Sequence, residues 1–95
     1  MNQPERNDMD RSELATANLQ EQEEERRKLR RLQIMMSMVM SVISQDAGLS
    51  VEEASELAAN AKRAALAMFP DKEFAYDILY KPRLQRLMAE RFRLQ

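Results

Sequence analysis

The chain has no cysteine, no histidine and no tryptophan, and its 95 residues include one glycine and three prolines. Without cysteine there is no disulfide, no thiolate nucleophile and no thiolate metal site. Without histidine the commonest metal ligand and the commonest acid–base catalyst are both missing. A single glycine leaves nothing to build a glycine-rich phosphate loop. No stretch reaches the ~20 apolar residues that a spanning helix needs. A chain of this size forms one domain at most, with a thin core that disulfides, metals or association usually reinforce. With the first excluded and metal ligands scarce, association with another chain is the reinforcement to expect.

Charge is nearly balanced, with a net of −1 and a pI near 5.5, which argues against a dedicated nucleic-acid binder. It is unevenly spread. Residues 1–25 hold eight acidic and two basic side chains, residues 26–31 hold five basic ones, and residues 81–95 hold five basic against one acidic. A basic stretch ahead of an apolar run has the order of a secretory signal. Here it follows an acidic segment and no small-x-small cleavage site comes after it, so the expected location is the cytoplasm, with no membrane contact.

What is abundant is helix-forming sequence. Residues 1–10 are polar and read as a disordered tail. Asp10 or Ser12 can cap a helix that nothing interrupts before Gln45. Residues 11–28 form a charged, partly solvated extension with few large apolar side chains, supported by Glu23–Arg27 and Glu24–Lys28 at i,i+4 spacing. The bundle domain then covers 29–95. In it Leu29, Leu32, Met36, Val39 and Ile43 step by 3, 4, 3, 4 and define a packed face. Ile34, Met35, Met38, Met40 and Val42 widen the apolar region well beyond that line. Gly48 is placed for a left-handed helix end, and Ser50 with Glu53 forms a capping box for a second helix to Met68. That helix is rich in alanine on one face (Ala54, Ala61, Ala64, with Ala58 and Ala65 flanking), where bulky methionines can interdigitate. Pro70 stops it. Asp71 can cap a short third helix, about 72–80, and Pro82 starts or kinks a last segment over 83–94. The expected fold is all-α: a long N-terminal helix packed antiparallel on a second, with two short C-terminal helices closing a small bundle.

The methionine run needs its own explanation. Met36-x-Met38-x-Met40 suggests soft-metal thioethers, but i,i+2 side chains on a helix point roughly 200° apart and cannot converge. The stretch from Arg26 to Ile43 has the basic-then-apolar order of a calmodulin target or a membrane-surface helix, yet lacks an aromatic anchor. The acidic clusters have neither the glycine-bearing loop of a calcium site nor the Glu-x-x-His pairs of a di-iron bundle. Met68-Phe69-Pro70 resembles the Met-Phe-Pro motif of ubiquitin-binding CUE domains, but the match covers three residues, that family's downstream Leu-Leu pair is not in place, and the preceding helix is too long for that fold. No cofactor, metal, small-molecule substrate or catalytic residue is expected.

Two readings remain. The leading one is a non-enzymatic interaction module, a homo-oligomer or the binder of a protein partner, with Leu29, Leu32, Met35, Met36, Val39, Met40 and Ile43 as interface. The alternative is a small regulatory protein that contacts nucleic acid through Lys81, Arg83, Arg86, Arg91 and Arg93, with Tyr76 and Tyr80 near enough to stack a base.

Overall fold

The structure, a computed structural model, describes residues 11–93. It is all-α, with α1 (Arg11–Gln45), α2 (Val51–Met68), α3 (Glu73–Leu79) and α4 (Lys81–Phe92). The expectations of a disordered tail and of Asp10 as a cap fall outside the described residues. Backbone contacts divide the chain between Arg30 and Arg31.

In residues 11–30, the first part of α1, every side chain is exposed or half-buried. Leu14, Leu19 and Leu29 stand open to solvent. Leu29 therefore drops out of the packed line to which its spacing assigned it. Surface ion pairs form at i,i+3 spacing, as Arg26–Glu23 at 3.3 Å and Lys28–Glu25 at 3.9 Å. Both i,i+3 and i,i+4 spacings bring side chains together on a helix, and exposed pairs of either kind add little stability.

From Arg31 onward the chain builds one core. Leu32, Met36, Val39 and Ile43 come from α1, Ala54, Ala61 and Ala65 from α2, Tyr76 from α3 and Leu84 from α4. Met36, Ile43 and Ala54 are fully buried. α2 runs antiparallel to α1, and its alanines leave room for the larger α1 side chains. Replacing one of those alanines with a bulkier residue would overpack the contact.

The connection between α1 and α2 departs from expectation. No glycine has a positive φ among the described residues, so Gly48 is not a left-handed cap. Asp46 makes the turn instead: its Oδ1 accepts from the Gly48 N–H at 2.9 Å, and its carbonyl accepts from the Leu49 N–H at 3.1 Å. An Asx turn of this kind does not require glycine. A Cβ at Gly48 would meet Asp46 Oδ1 at an ordinary 3.6 Å. Gly48→Ala should thus leave stability unchanged or raise it by about 0.5 kcal/mol, through the lower entropy of the unfolded chain. Urea unfolding checks this, and a clear loss would restore the left-handed assignment.

At the start of α2 the capping box is present as read, with Ser50 Oγ accepting from the Glu53 N–H at 3.1 Å and Glu53 Oε1 accepting from the Ser50 N–H at 2.9 Å. Asp71 does not cap α3. Lys72 occupies that position with no side-chain hydrogen bond. Tyr80 closes α3 and opens α4, and Pro82 lies in the first turn of α4, where its missing N–H costs nothing.

Candidate functional site

The structure separates α1 into two apolar faces. Of the seven side chains proposed as an interface, Leu32, Met36, Val39 and Ile43 are buried inside the chain, Met35 and Met40 are half-buried against that core, and Leu29 is exposed. The four buried residues make their contacts with α2, α3 and α4, and a partner has no access to them in the folded chain. The exposed apolar side chains of this part of α1 are a different set. Ile34, Met38 and Val42 are 54%, 63% and 39% exposed. At 3.6 residues per turn their line runs roughly 130° around the helix from the buried one. They follow i,i+4 spacing just as the buried residues follow 3,4 spacing. Their spacing is legible in the sequence, but the line is shorter than the a/d line beside it. A second exposed apolar cluster, Phe74, Ile78 and Leu79, lies on α3.

One side chain of the basic strip of α4 is drawn into the chain's own contacts. Arg91 turns back across the bundle and donates to the Asp46 carbonyl at 2.8 Å, with its guanidinium 4.9 Å from the centre of the Phe92 ring. Lys81 lines a groove between α2 and α4 of about 490 Å³, with Ala58, Ala59, Leu84, Met88 and Ala89 among its walls. Arg83 lies over the Tyr80 ring at 5.9 Å. Lys81, Arg83, Arg86 and Arg93 remain exposed. Tyr76 is not available to stack a base. It is 5% exposed, packs against Tyr80 with ring centres 5.6 Å apart, and donates its hydroxyl to Met36 Sδ at 3.9 Å.

An ion cluster escaped the sequence reading. The Lys62 ammonium on α2 sits 2.9 Å from Glu73 Oε2 and 3.0 Å from Asp77 Oδ1, both on α3. Asp77 Oδ1 is shut off from solvent, and the Lys62 charge is what it faces. Glu73 and Asp77 share one face of α3 at i,i+4 spacing, which was legible. That Lys62 meets them depends on how α2 and α3 pack.

These contacts give the fold an alkaline limit. Hydrogen bonds from Lys62 to Glu73, then to Asp77, hold its pKa above the ordinary 10.5. Burial of Tyr76 disfavours the phenolate and raises its pKa above the ordinary 10.0. Both groups keep their protons to higher pH when folded than when unfolded. The stability they contribute is complete below the ordinary values and is lost as pH rises through the raised ones. Urea unfolding should show stability falling above about pH 10. Tyr76→Phe removes one of the two groups and should make that fall shallower; a fall as steep as in the parent would contradict the Tyr76 contribution.

Among the described residues no helix is long and apolar enough to cross a membrane, and no group of three or more His, Cys, Asp or Glu side chains could hold a metal ion. The chain matches no known family model, and no curated protein or solved structure shows significant similarity to it. Fold and surface together define a small four-helix protein with large apolar side chains exposed on α1 and α3.

Proposed function

We propose that this protein is a non-enzymatic interaction module that associates with itself through α1. The observation that carries this reading is the exposed line Ile34, Met38 and Val42, on a helix whose other apolar face is already occupied by the core. Contiguous exposed apolar side chains mark contact surfaces, whereas single scattered ones need no explanation. Methionine suits such a surface because it is flexible and polarizable. A thin core, with nine buried side chains among the described residues and three of them alanine, also has most to gain from further burial.

The experiment is the native mass by light scattering after size exclusion, over a hundredfold range of protein concentration. The expected result is a mass that rises toward a dimer or larger as concentration increases. A monomer mass at every concentration would overturn self-association. Nucleic acid is the less favoured ligand, because Tyr76, the ring nearest the strip, is buried, and Arg91 is engaged by the Asp46 carbonyl.

A further inference from the structure

The exposed line of α1 reads the same from either end. Ile34 and Val42 lie four residues to either side of Met38, and all three are exposed. An i,i+4 row is a ridge inclined to the helix axis, and two such ridges interdigitate when helices cross at about 50°. A two-fold interface uses the same patch on both copies, so the patch must be complementary to itself. This one is, provided the helices run in opposite directions: Met38 meets Met38 of the second copy, and Ile34 meets Val42.

Charge selects that direction. Arg31 lies one turn before Ile34, and Asp46 lies one turn after Val42. Neither forms an ion pair among the described residues. The Asp46 carbonyl takes the Arg91 guanidinium, while its carboxylate accepts from the Gly48 N–H. The last turn of α1 contains no basic residue, although a helix C-terminus attracts cations. A parallel pair would set Arg31 against Arg31. An antiparallel pair brings Arg31 of each copy to the C-terminal end of α1 and to Asp46 of the other.

We infer that the partner of this face is a second copy of the chain, paired antiparallel about Met38 and held at both ends by Arg31 and Asp46. This rests on the proposed self-association and adds its geometry. Because the chain has no cysteine, single cysteines report the arrangement directly. Met38→Cys, Ile34→Cys and Val42→Cys are each oxidised at a concentration where the parent is associated, after circular dichroism confirms folding. Met38→Cys should form a disulfide-linked dimer. Ile34→Cys and Val42→Cys should not link when alone, but should link to each other when mixed, since a disulfide needs Cα atoms within about 7 Å. Arg31→Glu should weaken association about fivefold, and less so in high salt.

Self-linking of Ile34→Cys and of Val42→Cys, without linking in the mixture, would overturn the antiparallel arrangement in favour of a parallel one. An associated parent whose variants never link would overturn this face while leaving self-association standing. A parent that is monomeric at every concentration would overturn both.

Discussion

Met36→Ala is expected to cost about 2–5 kcal/mol of folding stability, as buried methionine-to-alanine changes do. Met36 is fully buried at the centre of the core and receives the Tyr76 hydroxyl on its sulfur. Truncation leaves a cavity and a phenol hydroxyl without its partner. Small domains have total stabilities of roughly 5–15 kcal/mol, and one with so few buried side chains belongs near the low end. The variant should therefore be largely or marginally unfolded at room temperature. Met36→Glu should not fold at neutral pH, because position 36 is fully buried and a carboxylate there would lose its hydration. Denaturation followed by circular dichroism checks both changes. A Met36→Glu protein with native helicity would mean that Met36 is not in the core.

Met38→Glu is expected to do the opposite. Met38 lies two residues away and is 63% exposed, so glutamate there meets solvent. Stability should change by no more than about 0.5 kcal/mol, as for other surface substitutions. Association should fall by at least tenfold, because two carboxylates would face each other across the two-fold axis in place of two thioethers. Light scattering and urea unfolding on the same sample read both quantities. Unchanged association in a folded variant would remove this face from the interface. The contrast between the two methionines is the physical content of the two-face description: one substitution breaks the fold, and the other breaks only the assembly.

Much of the fold was legible because its signals are local. The Ser50–Glu53 capping box is contained in four residues and fixes the start of α2. The 3,4 spacing of Leu32, Met36, Val39 and Ile43 identified the buried side of α1 correctly, since a core line needs only helical periodicity. Its extension to Leu29 failed because periodicity gives spacing and not cover, and that side chain is exposed. Asp71 met the composition rule for a cap, yet the hydrogen-bonded turn at that point runs from the Lys72 N–H to the Phe69 carbonyl, and α3 begins later.

The site was less legible than the fold. The run from Ile34 to Ile43 showed too much apolar surface for one helix contact, but not which part the chain would cover. The a/d line was read as interface, and the structure places Met36 and Val39 in the core of the chain itself. The Lys62–Glu73–Asp77 cluster joins residues on separate helices, and no spacing rule brings them together. Arg91 looked like one more cation on a basic strip until the Asp46 carbonyl proved to be its acceptor.

The most direct test of the central claim is methionine oxidation by dilute peroxide, quantified residue by residue by mass spectrometry at low and high protein concentration. Thioether oxidation follows exposure. The account predicts that Met36 is protected at both concentrations. It predicts that Met38 oxidises readily in dilute solution and is protected when the protein is concentrated. Equal rates at Met36 and Met38, or a Met38 rate indifferent to concentration, would contradict it.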